Sequence, residues 1–198
     1  MCDNYSLTFK ISSNMSDINF THCIIIGKKD DVKVIYDLFK KYEDSKNLIY
    51  GFVPLINLID GLGCKVNKKH FNTTYKLHKL SDDGLRLDFY LQGRRGHPYF
   101  ELEFLQDYFN RIELYYYSSN ECFNNITNDK DGLYIKTKFV VDWDGEVECS
   151  TWNEVFDEVG QIVGQKISSQ KELFQILDLQ YEEDGVNEYI TVTEVRVV

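Results

Sequence analysis

Seven carboxylates fall between residues 142 and 158: Asp142, Asp144, Glu146, Glu148, Glu154, Asp157 and Glu158. Paired carboxylates can act as general acid and base, or hold a metal that activates water. Either use requires them to converge in a cleft, and the spacing shows stacking instead. Glu146 and Glu148 share one strand face at period two, and Glu154 and Glu158 share one helix face four residues apart. Like charges so placed cost about 0.2–0.5 kcal/mol per pair. Solubilising charge alone would produce the same pattern. A chain that tolerates such pairs repeatedly also presents a strongly charged surface, and we take these seven residues as a partner-binding face.

A basic concentration lies upstream: Lys65, Lys68, Lys69, His70, Lys76, His78 and Lys79, interleaved with Phe71 and Tyr75. Basic and aromatic side chains together suit phosphates and unstacked bases. Gly93-Arg94-Arg95-Gly96 stands just before a Pro-led helix, where two guanidiniums and a helix N-terminus could hold an anion. An ordinary solvated turn would read the same way. Lys65, Lys68, Lys69, Arg94 and Arg95 are therefore the alternative, nucleic-acid-binding set. Tyr115, Tyr116 and Tyr117 could add a stacking platform, but on a strand at most two of them share a side. The net charge of −10 opposes general affinity for phosphates, so RNA remains a candidate ligand and generic DNA does not.

Other chemistry is poorly represented. Cys64, His70 and His78 lie near one another, and Cys23 follows His22, but no C-x₂₋₄-C or H-x₃₋₅-H pair supports a zinc site. The chain contains no G-x-S-x-G, H-E-x-x-H or G-x-x-x-x-G-K. No metal and no cofactor is expected. A hydrolase whose site is assembled from distant residues stays open as a second alternative.

The elements that must position these groups follow from periodicity. Strands are expected at Tyr5–Ile11, Asn19–Ile26, Leu48–Val53, Leu85–Leu91, Ile112–Tyr117, Leu133–Trp143, Glu146–Cys149 and Glu188–Val197. Asp30 and Asp31 open a helix over 31–44, with Val34, Ile35, Leu38, Phe39 and Tyr42 as its apolar stripe. Pro98 opens a helix carried by Tyr99, Leu102, Leu105, Tyr108 and Phe109. Thr151-x-x-Glu154 is a capping box for a helix that Gly164 stops, and Ser169-x-x-Glu172 opens a shorter one carried by Leu173, Phe174 and Leu177. Residues 54–84 read as a long excursion with one helical turn, and 120–132 as a polar loop. Asp144-Gly145 marks a hairpin.

This irregular mixture predicts an α+β fold with a mainly antiparallel sheet and helices packed on one face. Two β-α-β passages, at 19–53 and 85–118, have the form of ferredoxin-like split units. We divide the chain into an α+β region at 1–142 and an acidic helical extension with a closing strand at 143–198, packed into the same domain. Charge follows a similar division: residues 1–80 carry 12 Lys/Arg against 8 Asp/Glu, and residues 81–198 carry 10 against 24. Such asymmetry acts on partners rather than on fold, and points to a protein partner with a basic groove.

The 198 residues are 43% hydrophobic, enough for a substantial core, and no apolar run reaches the ~20 residues of a membrane span. No secretion signal is read at the N-terminus, so a cytoplasmic location is expected. Scarce Pro and absent Ala, beside frequent Asn, Lys, Ile and Tyr, match the bias of an AT-rich bacterial or phage genome.

Cys2-Asp3-Asn4-Tyr5-Ser6-Leu7, Ile24-Ile25-Ile26-Gly27, Phe52-Val53-Pro54 and Pro98 to Tyr117 give an outline that resembles a ferredoxin-like family of phage- and plasmid-encoded proteins of unknown function. The resemblance covers residues 1–142. The family's mid-chain tryptophans are missing, since Trp143 and Trp152 both come late. It implies a mobile-element origin and carries over no functional residue. With the charge pattern, it leads to the expectation of a non-enzymatic inhibitor, of the anti-CRISPR kind, that occupies a nucleic-acid-binding surface of a host defence complex such as a CRISPR effector.

Five cysteines, an odd number without a C-x-x-C pair, predict free thiols rather than a disulfide framework. Thiol titration of freshly prepared, denatured protein should therefore count five. A lower count would overturn the assignment.

Overall fold

Two sheets carry the fold in the computed structural model, which describes residues 18–44, 52–64, 73–94, 96–120, 123–182 and 189–198. The strand expected at Tyr5–Ile11 and most of that expected at Leu48–Val53 lie outside them. The chain is α+β and forms two compact units, Asp17–Ile135 with Val197–Val198, and Lys136–Arg196. The boundary drawn at 142/143 from the sequence lies at the tip of a hairpin within the smaller unit.

The larger unit runs β1 (Ile18–Gly27), α1 (Lys29–Glu43), β2 (Val53–Pro54), α2 (Leu55–Gly61), β3 (Thr74–Leu80), β4 (Arg86–Arg94), α3 (Tyr99–Tyr108), β5 (Ile112–Asn120) and β6 (Phe123–Thr127). Its sheet has the order β10-β6-β5-β1-β4-β3-β2, where β10 is Arg196–Val197. Strand β1 pairs antiparallel with both β4 and β5, and β3 pairs antiparallel with β4.

Alternation sorts the side chains of these strands. Cys23 and Ile25 of β1, Leu87, Phe89 and Leu91 of β4, and Leu114 of β5 form one core with Val32, Ile35 and Phe39 of α1, Leu55, Leu58 and Ile59 of α2, and Leu102 and Leu105 of α3. All three helices thus pack on one face. Tyr75 of β3 ties helix to sheet: its hydroxyl donates to the Phe39 carbonyl at 2.7 Å, and its ring meets that of Phe39 edge-on at 4.7 Å. Gly61 ends α2 against α1, where a Cβ would lie 1.4 Å from the Tyr42 hydroxyl.

Several expectations shift in register or kind. In α1 the N-cap is Lys28, and Asp30 and Asp31 sit in the first turn, where they favour the helix through its dipole. Val32 replaces Val34 in the buried stripe, and Val34 is 65% exposed. Pro98 is the N-cap of α3 rather than its first residue, and Glu101 turns inward while Tyr99 and Tyr108 are exposed. The long excursion at 54–84 contains α2 and a full strand, β3. Lys76, His78 and Lys79 masked its alternation, because the polar half of that strand is basic. The loop expected at 120–132 contains β6, and Gly93 and Arg94 continue β4 rather than turning.

The smaller unit runs β7 (Phe139–Asp142), β8 (Glu146–Cys149), α4 (Trp152–Val163), α5 (Gln170–Glu182) and β9 (Thr191–Glu194), with sheet order β8-β7-β9. Leu133–Lys138 is irregular, so only the end of the long strand expected there forms. The hairpin is present, with Asp142 opposite Glu146. Thr151 accepts from the Glu154 backbone at 3.3 Å, Ser169 does the same for Glu172, and Gly164 ends α4 at φ 72°. Val155, Val159, Leu173 and Leu177 of the helices close on Phe139, Val141 and Cys149. Phe174, expected in that stripe, is 49% exposed. The expected closing strand is split at Val195, whose backbone bonds to Lys138 while Val198 bonds to Thr127.

Asp129 fixes the loop after β6. Its carboxylate accepts from the backbone N–H groups of Leu133, Tyr134 and Ile135 at 3.1, 2.7 and 2.8 Å. Burial pushes this carboxyl up, but these donors, with that of Gly132, outweigh it and hold it below the usual range. Replacing Asp129→Ala leaves buried donors without partners and should cost about 1–3 kcal/mol in urea unfolding. Because the folded value is depressed, the contribution is complete above about pH 4 and fades as pH falls through the folded value, so wild type and variant should converge in acid.

Candidate functional site

Three places in the fold concentrate polar chemistry. The first is a buried row at one end of the helix-facing side of the larger sheet. Here Asn19, Thr21, Thr73, Glu101 and Ser118 are no more than 5% exposed, and apolar residues give way to a hydrogen-bond network. Thr21 Oγ1 donates to Asn19 Oδ1 at 2.8 Å, and Asn19 Nδ2 donates to Ser118 Oγ at 2.8 Å. Ser118 Oγ also lies 2.7 Å from Thr21 Oγ1 and 2.9 Å from His97 Nδ1. Thr73 donates to Glu101, whose carboxyl is pushed up by burial against that bond.

Ser118 and His97 have the spacing of a nucleophile and its base, yet the protons run the other way. Thr21 spends its only proton on Asn19, so Ser118 must donate to Thr21. The Ser118 proton is thus spent on Thr21 and not on His97 Nδ1, which also lies 3.2 Å from the Asn19 amide nitrogen. The serine is fully buried besides. We read the row as structural, a satisfied network that pins β1 to β5.

The buried cysteines Cys23 and Cys149 are equally inert. Burial pushes Cys23 well up, and burial with the nearby Glu154 and Glu158 pushes Cys149 up to about 11. Among the described residues no group of three or more His, Cys, Asp or Glu side chains is placed to hold a metal ion. Two open clefts are present, one of about 370 Å³ beside Gly160 and Lys166, and one of about 310 Å³ beside Gln106 and Tyr116. Neither gathers the carboxylate, histidine or hydroxyl sets that hydrolysis needs.

The second place is the acidic unit. Asp142, Asp144, Glu146, Glu148, Glu154 and Asp157 are exposed and Glu158 is half-buried. Asp142, Glu146 and Glu148 share the sheet face turned away from α4, because Phe139, Val141 and Cys149 occupy the other. Glu154, Asp157 and Glu158 ride on α4 itself. The seven therefore form two groups on one unit. Some also do local work: Glu148 accepts from Thr137 Oγ1 at 2.5 Å, and Glu154 from the Ser150 backbone at 2.6 Å. Trp143 and Val147 stand 43% and 38% exposed among them.

The third place is the sheet face of the larger unit that the helices leave uncovered. Arg86 grips Asp88 with two bonds of 2.7 Å, and His22 Nε2 lies 3.0 Å from the same carboxylate. Burial pushes Asp88 up, but His22 and Arg86 win and hold it at about 2. Beside this cluster the Tyr90 ring lies 5.1 Å from His22 and 5.3 Å from His78, a row of three rings across β1, β4 and β3. Lys76 stands opposite Tyr90, and Lys79 opposite Asp88.

Of the nucleic-acid set expected from sequence, Lys65, Lys68, Lys69 and Arg95 lie outside the described residues, as does the side chain of Arg94. The tyrosine platform is closed: Tyr134 covers Tyr115 at 4.6 Å, Tyr117 is 6% exposed, and Tyr116 faces the helices. Sequence reasoning missed His22, Arg86, Asp88 and Tyr90. A signal was present in β4, where Arg86, Asp88, Tyr90 and Gln92 fall at every second position, but β1 offers only His22 among Phe20, Ile24 and Ile26 on that face, and the register that sets them side by side was not legible.

No family model, curated protein or solved structure matches the chain, so its site is read from its own geometry.

Asp88 is 7% exposed, so its depressed value is an energetic statement. A shift from 3.8 to about 2 corresponds to about 2 kcal/mol, complete above the unfolded value near pH 4 and lost as pH falls through about 2. Asp88→Asn should lower stability at pH 7 by that order and flatten the acid limb of the stability curve. Equal acid limbs for variant and wild type would contradict the assignment.

Proposed function

We propose that the chain is a binding protein whose smaller unit docks by charge on a basic groove of a protein partner. One observation carries the reading: Lys136–Arg196 holds 14 Asp/Glu against five Lys/Arg, a balance of −9 in a chain of −10. The charge therefore coincides with a unit that has its own sheet, helices and core. Exposed carboxylates steer encounter, while Trp143 and Val147 supply apolar contact that fixes the docked pose. The form of this reading expected from the sequence is a phage or mobile-element inhibitor acting in the host cytoplasm. It rests on the same physics, since a groove built for phosphates also accepts a dense carboxylate array.

For the larger unit we propose the ferredoxin-like reading. The first passage, expected at 19–53, does not close beside β4, since Val53 belongs to β2 at the edge of the sheet; β3 takes that place, so with β4 between β1 and β3, and β1 between β4 and β5, β1-α1-β3 and β4-α3-β5 each straddle an inserted antiparallel strand. That order supports two interleaved split units.

Capture from nuclease-treated lysate, followed by mass spectrometry, supplies the partner, and association kinetics test the mechanism. Association should be fast at low salt and slow steeply as salt rises. Reversing Asp144, Glu146 and Asp157 to Lys should slow it at least tenfold at low salt while thermal unfolding stays within a few degrees. Matched reversal of Asp30, Asp82 and Asp131, exposed acids of the larger unit, should have little effect. Equal responses to the two sets would reduce the acidic unit to a solvated surface.

A further inference from the structure

We infer that the uncovered sheet face of the larger unit is a binding site for single-stranded nucleic acid, formed by His22, Lys76, His78, Lys79, Arg86 and Tyr90. This site is independent of the acidic unit and uses none of its residues.

The argument begins with charge. The chain as a whole repels phosphate, yet this face does not. Lys76 and Lys79 are exposed, and Asp88, the carboxylate across from Lys79, is already held by Arg86 and His22, while Glu43 is bonded to the Leu77 backbone between Lys76 and His78. Two exposed ammonium groups on one strand therefore stand beside a neutralised acid. Strand pairing then fixes the rings. Tyr90 sits between His22 and His78, and each of the three comes from a different strand. His22 is register-paired with Tyr90, so their 5.1 Å follows from the distance between neighbouring strands, about 4.8 Å, while His78, 5.3 Å from Tyr90, stands at the register shift between Leu77 and Lys79. A cation–ring contact, Lys76 Nζ at 5.8 Å from the Phe52 ring, extends the same character to the sheet edge.

Aromatic and imidazole rings flanked by ammonium groups on a flat surface match an unpaired strand, whose bases offer faces and whose backbone offers phosphates. Double helices hide the base faces and fit less well. A protein partner would have to be acidic, but it would leave the three rings without stacked counterparts, so the observations favour the nucleic acid. The buried polar row lies on the opposite side of the sheet and plays no part.

The test is fluorescence anisotropy of the purified full chain with labelled single-stranded RNA, single-stranded DNA and duplex DNA of about ten nucleotides. Single strands should bind with dissociation constants of about 10⁻⁶–10⁻⁴ M at moderate salt, and the duplex more weakly. Lys76→Glu with Lys79→Glu should weaken binding about tenfold and reduce the slope of log K against log salt by about 1.4, the loss of two phosphate contacts. Tyr90→Leu should weaken it about tenfold with the slope unchanged, the effect of losing one stacked base. His78→Ala, at an exposed position, is the companion variant that does not threaten the fold, and it should act in the same direction. Lys33→Glu with Lys41→Glu on α1 is the control and should change nothing. Tighter binding of RNA than DNA would add a ribose contact to the site, and equal binding would confine it to rings and phosphates. The inference is overturned by absence of binding at low salt, by equal binding of duplex and single strands, by a control that weakens binding as much as Lys76 and Lys79 do, or by capture of a protein through Lys76 and Lys79 after nuclease treatment.

Discussion

Strand β1 is hydrogen-bonded on both flanks, to β4 and to β5, from Asn19 to Ile26. Strands β4 and β5 are paired on both flanks as well, and β1, between them, carries the two registers from which most of the unit's features follow. A strand paired on both sides has only two directions in which to send side chains. Cys23 and Ile25 go beneath the helices, and His22 and Ile24 go to the other face. A slip of one residue would exchange the two sets, placing His22 in the apolar core and Ile25 in the Arg86–Asp88 cluster. The register that builds the core is thus the one that assembles the ring row. At the same strand's beginning, Asn19 and Thr21 point to the helix side, where burial makes an unpaired polar group costly. Ser118 of β5 and His97 before α3 complete that network, so β5 is held to β1 by side chains as well as by backbone, as β4 is through His22 and Asp88.

How much of this was legible in the sequence depended on the range of the interactions. Local signals were read well. The capping pairs Thr151/Glu154 and Ser169/Glu172, the stop at Gly164, the Asp144-Gly145 turn and the helix near Pro98 depend on residues within a few positions of one another. Elements whose character is set by distant neighbours were misread. Strand β3 alternates as Thr74-Tyr75-Lys76-Leu77, but its polar half is so basic that it resembled a solvated loop. Tyr75 is a core residue only because Phe39 of α1 offers both a carbonyl and a ring. In α1 the choice between Val32 and Val34 depends on the angle at which the helix meets the sheet, which no local pattern encodes. Glu101 was not singled out, because a carboxylate on a helix is ordinarily solvated, yet Thr73, remote in sequence, gives it a partner inside. The His22–Asp88–Arg86 cluster was illegible for the same reason: His22 and Asp88 are 66 residues apart, and only the β1–β4 register makes them neighbours.

Charge behaves differently from packing, because it needs no register to be read. Residues 17–135 hold 16 bases and 17 acids, and nearly all of the chain's net charge falls on the unit that follows. That unit bears the cost. Asp142 stands directly across from Glu146, a like-charge pair that a sheet ordinarily avoids. Thr at either position would suit a strand better and repel nothing. The core made by Val155, Val159, Leu173 and Phe139 offsets the repulsion, so the unit can carry a surface that local stability alone would not select.

The two surfaces also differ in what they demand of a ligand. The acidic unit offers a field, and a field selects by sign and tolerates imprecise geometry. Its reach is about 8 Å at physiological salt, so it gathers partners but does not distinguish closely among basic ones. Trp143 and Val147 are the groups there that can impose shape. On the larger sheet the emphasis is reversed. Three rings are held by three strands, and Arg86 is fixed in a bidentate grip, so little side-chain freedom is lost when a ligand arrives. Lys76 and Lys79 supply only two positive charges against the excess of negative charge elsewhere in the chain. Attraction at that face is therefore short-ranged, and stacking geometry must decide what stays bound. An unpaired segment needs only the width of β1, β4 and β3. The two proposed surfaces thus differ in kind: one rests on the sign of a field, the other on the geometry of a sheet.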